Sequence, residues 1–343
     1  MLGLAKHKKF KYGGLPFFVN IKLKWVVIVE TILVIALLAG LINLYVSNKQ
    51  IESQQSKGLL SPRIYAGILE PKSLLIVDFA PLKLKLQNYI EKNSLNASVY
   101  VENFRNGAFM GINEKTGFFP TSLNKLPVAI LIMKKIENKE LSMGTLLEIK
   151  NSDRTDSSGE LYKTKEKQLP LKIALEKMLK ESDNTALRIL LRQISLEDLQ
   201  FVLDYYGMDI NADIQKLEDS KPDLITPKAM STLYSSLYFS TVLEPQNSEY
   251  LLSLMEDTIF PIKEIADLPD EVRVAQKFGE NYYGTNKFFH DCGIIYIGES
   301  RVFYCIMTKD IDEERAVETI GVIVNEIHKY IRDARARLEA YKE

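Results

Sequence analysis

The stretch FFPTSLNKLPVAIL, residues 118–131, places Ser122 and Lys125 three residues apart at the start of an apolar run. On a helix this spacing puts both side chains on one face, so the lysine amine can reach the serine hydroxyl. A serine attacks well only when a base takes its proton, and burial or a neighbouring cation lets a lysine act as that base. At the helix start, the backbone N–H of Ser122 is free to face an oxyanion. Ser-x-x-Lys alone is a weak motif, so its interpretation depends on the rest of the chain.

Two further elements follow in order. The segment ESDNT, residues 181–185, lies at the junction of two helical runs, where Ser182 can pass a proton to a leaving group and Asn184 can orient the lysine and hold a substrate amide. Ser or Asp at this place would also suit a helix N-cap, and both readings can be true. The segment VAQKFG, residues 274–279, ends a predicted strand and carries Lys277.

The order of periodic segments predicts the fold class. A helix is expected over residues 82–93, a hairpin over 97–112, a helix-rich block over 122–243, strands at 272–278, 291–297 and 302–308, and a final helix from 312 to about 341. Strands at both ends imply one sheet assembled from both halves of the chain. The sequence therefore predicts one α+β domain with a helical insertion.

Ser-x-x-Lys, Ser-Asp-Asn and Lys-x-Gly in this order resemble the signature set of class A β-lactamases and penicillin-binding proteins. The flanking segments also resemble class A proteins, and the resemblance covers roughly residues 80–340. It implies a β-lactamase/DD-peptidase-like fold, with an antiparallel five-stranded sheet built from both ends of the domain, a helical insertion and flanking helices.

The resemblance also implies roles for individual residues. Ser122 corresponds to the acylated nucleophile, Lys125 to its base and Ser182 to the proton shuttle. The other matching positions contact the substrate or support the site: Asn184 at the substrate amide and the lysine, Lys277 as a cation beside the second hydroxyl, Gly279 and Glu280 on the same strand, with the Glu280 N–H as second oxyanion donor, and Asp183 as a structural buttress.

Two departures from the family pattern concern turnover and substrate binding. Class A enzymes carry an Arg-x-Glu-x-x-Leu-Asn loop whose glutamate drives water onto the acyl-enzyme, and residues 209–224 lack it. Glu218 is the only glutamate in that segment, and it is either a weak candidate for the deacylation base or a solvated loop charge. Phe278 stands where the family has Thr or Ser to hydrogen-bond the substrate carboxylate, and a phenyl ring cannot donate that bond.

The N-terminal region predicts a membrane anchor. Residues 25–46, WVVIVETILVIALLAGLINLYV, are long enough to span a hydrocarbon core of roughly 30 Å, and no Ala-x-Ala site follows as in a cleaved signal peptide. Residues 1–24 carry lysines and no acidic residue, so the positive-inside rule makes them a cytoplasmic tail. Residues 47–63 then form a linker, and residues 64–343 the extracytoplasmic domain of a single-pass membrane protein.

Composition argues against several other functions. A net charge of −1 gives no basic surface for nucleic acid, and three scattered histidines with two cysteines suggest neither a metal site nor another cofactor. Cys292 and Cys305 fall on neighbouring predicted strands, where a disulfide is an alternative to the two free, buried thiols that we favour. We expect a monomer.

Three hypotheses of function follow. The first is an active serine hydrolase that is acylated at Ser122 by a β-lactam or a D-amino-acid-type peptide amide, with slow deacylation. The second is a peptidoglycan DD-peptidase of the penicillin-binding type. The third is a receptor without catalysis that binds peptidoglycan fragments or a partner in the same pocket. The intact set of Ser122, Lys125, Ser182 and Lys277 favours an enzyme.

Overall fold

A computed structural model of the chain describes residues 25–26, 28–43, 45, 78–212, 224–283 and 286–340. The helices from residue 80 onward are α1 (Ala80–Lys92), α2 (Lys125–Glu137), α3 (Leu171–Lys180), α4 (Asn184–Leu191), α5 (Leu196–Tyr205), α6 (Pro227–Tyr238), α7 (Pro245–Glu256), α8 (Ile262–Ile265) and α9 (Glu313–Ala340). The strands are β1 (Ala97–Asn103), β2 (Phe109–Ile112), β3 (Leu146–Glu148), β4 (Gln168–Pro170), β5 (Arg273–Tyr283), β6 (Asn286–Ile297) and β7 (Ser300–Lys309).

Five of the strands form one antiparallel sheet in the order β2-β1-β7-β6-β5. Strand β1, from the first part of the domain, pairs along its length with β7, from the last part. The α+β class and the five-stranded sheet built from both ends are thereby confirmed. Strands β3 and β4 form a small separate sheet within the helical block.

Both faces of the large sheet are covered. Because successive side chains of a strand point to opposite faces, each strand contributes to two separate cores. In β7, Phe303, Cys305 and Met307 pack into the core shared with the helical block. Tyr304 and Ile306 on the same strand face the opposite core, which includes residues of α1 and α9. Because β5 is an edge strand, one long side of it remains open to the helical block, and the candidate site lies along that edge.

The hairpin of β5 and β6 is longer than the sequence pattern predicts. Strand β5 continues past Phe278 to Tyr283 and β6 begins at Asn286, because pairs such as Gly279 with His290 and Glu280 with Phe289 extend the ladder. Residues 279–283, beyond the predicted end of the strand, therefore belong to the ladder, which carries the residues after Lys277 along the edge of the sheet.

The prediction of free cysteines was wrong. The register of β6 on β7 places Cys292 directly opposite Cys305, and the two side chains form a disulfide with an S–S distance of 2.00 Å. Both residues are buried. The sequence could not give this result because a shift of one residue in register would have turned the two side chains to opposite faces.

The described residues before the domain, within 25–45, are helical and expose their large apolar side chains, including Trp25, Leu37 and Tyr45. Among the residues that the structure describes, no helix meets the length and hydropathy that a membrane crossing requires. The predicted tail, residues 1–24, and the linker, residues 47–63, lie outside the described residues, as do residues 64–77.

Candidate active site

The candidate nucleophile Ser122 lies in a short 3₁₀ helix, Thr121–Asn124, that leads directly into α2 at Lys125 and is called the nucleophile turn below. Pro127 falls in the first turn of α2, where a missing N–H breaks no helical hydrogen bond. Thr121 has a φ of +51°, a left-handed backbone that costs a β-branched residue about 1–3 kcal/mol. The turn therefore holds the backbone before Ser122 in a conformation that the surrounding packing must maintain.

Lys125 reaches both hydroxyls of the site. Its Nζ lies 2.9 Å from Ser122 Oγ and 2.9 Å from Ser182 Oγ, and it donates to the backbone oxygen of Ser182 at 2.6 Å. The helical spacing read from the sequence thus brings the amine to the nucleophile. Only 1% of the residue is exposed, so bulk water does not compete for these contacts.

The electrostatics of the site favour a neutral amine at Lys125. Burial lowers its pKa to about 6, with the nearby charge of Lys277 acting in the same direction and Asp183 opposing both. At neutral pH such a lysine has an available lone pair, as a general base requires. The pKa shift therefore follows from the packing of two lysines into one buried cluster.

Ser182 occupies the short connection between α3 and α4 and also has a left-handed backbone, with a φ of +56°. Its Oγ donates to Ser122 Oγ at 2.7 Å. The next residue, Asp183, is the N-cap of α4 and accepts from the Ala186 N–H. The capping prediction and the placement of Ser182 beside the nucleophile are both observed.

Lys277 enters the cluster from β5. Its Nζ donates to Ser182 Oγ at 3.2 Å and to the Phe278 carbonyl at 2.7 Å. Burial lowers the pKa of Lys277 to about 8, while the charge of Asp291 works against that shift. Lys277 therefore keeps a positive charge near neutral pH, beside the Ser182 hydroxyl that Lys125 also contacts.

Gly279 is required by a close approach of β5 to the nucleophile turn. A Cβ at this position would lie 2.1 Å from Thr121 Oγ1 and 2.9 Å from the Ser122 backbone nitrogen. Glycine allows the strand to lie directly against the turn. Glu280 follows on the same strand, at the border of the cleft, and burial together with Glu313 raises the pKa of its carboxyl.

Asp183 and Asn184 fasten a neighbouring loop to the site. The second carboxylate oxygen of Asp183 accepts from the Leu161 N–H at 2.8 Å, and the residue is fully buried. The family resemblance implied that Asn184 contacts the amine of Lys125. In the structure, Asn184 Nδ2 instead donates to Ser157 Oγ at 2.8 Å. Its amide nevertheless lines the same cleft.

These groups border a cleft of about 520 Å³ between the edge of the sheet and the helical block. One wall is aromatic, since the ring of Phe278 stacks on Phe260 with centroids 3.9 Å apart. The remaining lining includes Phe119, Ser122, Lys125, Ser157, Ser182, Asn184, Ile259, Lys277, Gly279, Glu280 and Glu313. The structure thus gathers the predicted residues around one opening, with an apolar surface where the family has a hydroxyl.

Two supporting residues were missed in the sequence. Thr308 N–H donates to His290 Nδ1, so the other ring nitrogen carries the hydrogen and donates to the Phe119 carbonyl at 2.9 Å. Burial lowers the pKa of His290 to about 4, which keeps the ring neutral. Asp291 is fully buried behind Lys277, and burial raises its pKa to about 7 while its hydrogen bond from Tyr304 opposes the rise. The sequence signal that could have identified these two residues is the pair of adjacent ionisable side chains within an apolar strand.

The candidate deacylation base cannot be placed. Glu218 lies in residues 213–223, outside the described residues. The ends of this segment are joined by an antiparallel bridge, in which Asp209 and Leu224 exchange backbone hydrogen bonds of 3.0 and 2.7 Å. Within the ranges that the structure describes, no three His, Cys, Asp or Glu side chains converge as metal ligands would.

With this geometry in place, comparison with known proteins is informative. The family model described as the β-lactamase enzyme family matches residues 81–331, most of the chain. The chain belongs to the β-lactamase enzyme family. The matched region contains all three motifs of the site. A search of curated proteins finds no match.

Several solved structures share the fold of this family member. The TLA-3 extended-spectrum β-lactamase has a TM-score of 0.68 at 20% identity, covering 74% of this chain and 100% of that chain. PBP-A, solved as an acyl-enzyme complex with penicillin G, has a TM-score of 0.65 at 20% identity, covering 74% and 97%. A β-lactamase from Chitinophaga pinensis has a TM-score of 0.64 at 18% identity, covering 74% and 99%. The chain is thus a member of the β-lactamase enzyme family whose fold is shared by solved β-lactamases and by PBP-A.

Proposed function

We propose that this protein is an active serine acyl hydrolase that forms an ester between Ser122 Oγ and the acyl carbon of a β-lactam or a D-amino-acid-type peptide amide. The observation that carries the proposal is the contact of one buried, low-pKa lysine with two hydroxyls that also contact each other. A pocket that only binds has no need of a base beside a nucleophile.

The contacts support a complete path for the proton. With the amine neutral, Ser122 O–H donates to the Lys125 lone pair, and the amine takes this proton as Oγ adds to the acyl carbon. When the carbon–nitrogen bond breaks, the leaving nitrogen takes a proton from Ser182 Oγ, which Lys125 restores across 2.9 Å. Lys277 stabilises the transient negative charge on Ser182. With a peptide the products are an ester on Ser122 and a released amine, whereas with a β-lactam the amine stays within the acyl group on Ser122. Water later splits the ester.

Slow loss of the acyl group is part of the proposal. The segment from Asp209 to Leu224 lacks the glutamate pattern that activates water in class A enzymes. The carboxylates among the described residues that line the cleft are Glu280 and Glu313, on the side of β5 and α9. A long-lived acyl-enzyme fits a peptidoglycan DD-peptidase or a slow β-lactamase better than a fast one.

The test is covalent labelling of the purified full chain with a fluorescent penicillin, followed through an extended time course and then a chase with unlabelled compound. We expect label on the wild type, no label on Ser122→Ala, and persistence of the label through the chase, because acylation has its base and residues 209–224 lack the glutamate pattern of class A enzymes. Gel fluorescence and intact-mass spectrometry measure both steps.

Each other outcome has a definite meaning. A folded wild-type protein that acquires no adduct would contradict the proposed activity toward β-lactams and favour a receptor without catalysis. Rapid loss of the label during the chase would contradict slow deacylation and indicate a true β-lactamase. Circular dichroism checks that Ser122→Ala is folded, so that its lack of label can be assigned to the missing hydroxyl.

We further propose that residues 25–46 anchor the protein as a single-pass membrane protein with residues 1–24 in the cytoplasm and the hydrolase domain outside it. The apolar run in the sequence and the exposed apolar side chains of this helix support the proposal. We expect the full chain to stay with membranes through an alkaline carbonate wash and a variant lacking residues 25–46 to be released. Release of the full chain by the wash would contradict the anchor.

A further inference from the structure

The composition of the cleft wall next to Lys277 points to the kind of leaving group that the site accepts. In the proposed reaction the leaving nitrogen takes its proton from Ser182 Oγ. Lys277 Nζ lies 3.2 Å from that oxygen, so the leaving group must lie against the part of β5 that begins at Lys277. The residues after Lys277 therefore decide which substituents can sit beside the scissile bond.

The first of these residues offers an apolar surface instead of a hydrogen-bond donor. The Phe278 ring stacks on Phe260 at 3.9 Å and an interplanar angle of 11°, which fixes both rings as one flat wall. Ile259 continues this wall at the border of the cleft, with 71% of the residue exposed. Binding an apolar group against such a wall is favourable, because apolar surface is removed from water. Binding a charged group there is unfavourable, because the charge loses its water.

The polar groups nearby do not favour a carboxylate either. Two of the three N–H groups of Lys277 are engaged, by Ser182 Oγ and the Phe278 carbonyl. Lys180 also lines the cleft, and its amine is paired with Asp257. Glu280 and Glu313 line the same cleft beyond Phe278 and add like charge there. A negative substituent on the leaving group would meet an aromatic wall and two acidic side chains.

We propose that the site selects acyl donors whose leaving group is uncharged and apolar beside the scissile bond, and that Phe278 is the residue that sets this selection against carboxylates. The inference rests on the proposed acylation of Ser122 and adds the substrate class to it. A hydroxyl at this position would donate to a carboxylate, and a hydrogen bond to a charged group changes a rate constant by roughly 10- to 100-fold.

Penicillin G and its methyl and benzyl esters provide a matched set, because they share one ring and differ in charge and apolar size beside the leaving nitrogen. In each case the Ser122 Oγ–acyl bond forms, the ring carbon–nitrogen bond breaks, and the nitrogen keeps the proton from Ser182. The second-order rate constant of acylation is measured on the full chain by intact-mass spectrometry, with Ser122→Ala as the blank. We expect the methyl ester to acylate wild type about tenfold faster than penicillin G, and the benzyl ester at least as fast as the methyl ester.

Two variants at one position separate the role of the ring from general damage. Phe278→Thr supplies a hydroxyl and should reduce the ester-to-acid ratio by about tenfold, whereas Phe278→Leu keeps an apolar wall and should preserve the wild-type order. The ratio compares substrates on one protein, so a general loss of active protein cancels. If Phe278→Thr fails to fold, the wild-type ratio still decides the selection against carboxylates, and Phe278→Ser supplies the hydroxyl that tests the role of the ring.

The outcomes distinguish this inference from the function on which it rests. Adducts that form equally fast with all three compounds, or fastest with penicillin G, would overturn the selection and leave the hydrolase proposal standing. A wild-type ratio that favours the esters but is unchanged in Phe278→Thr would overturn the role of Phe278. Absence of any adduct from all three compounds would overturn both the acylation proposal and this inference.

Discussion

Substitution of Lys125 by methionine should lower the rate of Ser122 acylation by about 10³-fold near neutral pH, because the hydroxyl loses the base that lies 2.9 Å away. Methionine keeps an unbranched apolar side chain in a site where 1% of the lysine is exposed, so the packing should survive. Acylation by penicillin G methyl ester, followed by intact-mass spectrometry, gives the rate. A variant that retains the wild-type rate would show that another group takes the proton.

The pH dependence of acylation tests the same assignment without a mutation. The amine of Lys125 must be neutral, and since its pKa is about 6, the rate should fall as the pH drops below that value. Lys277 must be charged, and since its pKa is about 8, the rate should fall again as the pH rises above it. Lys83→Met, at an exposed position of α1, is the matched control for Lys125→Met. It should keep the wild-type rate and both the acid and the alkaline limb of the pH profile.

Substitution of Gly279 by alanine should lower the acylation rate by about 100-fold, because the added Cβ would lie 2.9 Å from the Ser122 nitrogen and 2.1 Å from Thr121 Oγ1. Thr121 is buried and β-branched, so it cannot simply turn aside, and the strand or the nucleophile turn must move. A displacement of that size takes the Ser122 hydroxyl away from the base and the acyl carbon. The measurement is the same acylation rate, together with the free energy of unfolding.

Gly144→Ala is the matched control for this substitution. No atom lies within 4 Å of a Cβ built at Gly144, so the variant should acylate as wild type does. The stability measurement separates a displaced site from an unfolded protein. If Gly279→Ala folds and acylates at the wild-type rate, β5 does not position the nucleophile turn in the way that the structure indicates.

Much of this architecture could be predicted because it depends on local patterns. The Ser122 and Lys125 pair follows from helical spacing, and the strands of the C-terminal hairpins follow from alternating apolar residues with a Gly298 turn between them. The proximity of the three motifs in space could also be predicted, but only from the resemblance to a family. Spacing alone could not have shown that Lys125 and Lys277 both contact the Ser182 hydroxyl.

The features that were not predicted depend on register and on contacts between distant segments. Whether Cys292 faces Cys305 is decided by one residue of strand register, and no local signal fixes it. The stacking of Phe278 on Phe260 and the hydrogen bond of Asn184 to Ser157 likewise join segments that are not neighbours in the sequence. The family pattern identified Phe278 as a departure, and the structure adds the partner that gives the departure a physical meaning.

The pairing of β1 with β7 also bears on the order in which the protein can be made. Ala97 pairs with Thr308, so the hairpin formed early in synthesis stays an isolated two-stranded unit until nearly the whole chain has emerged. Contacts of such long sequence separation form late and slow the folding of a domain. Lys277 lies in the hairpin of β5 and β6, which is connected to β1 and β2 only through β7. A nascent chain therefore carries Ser122 long before the cleft exists.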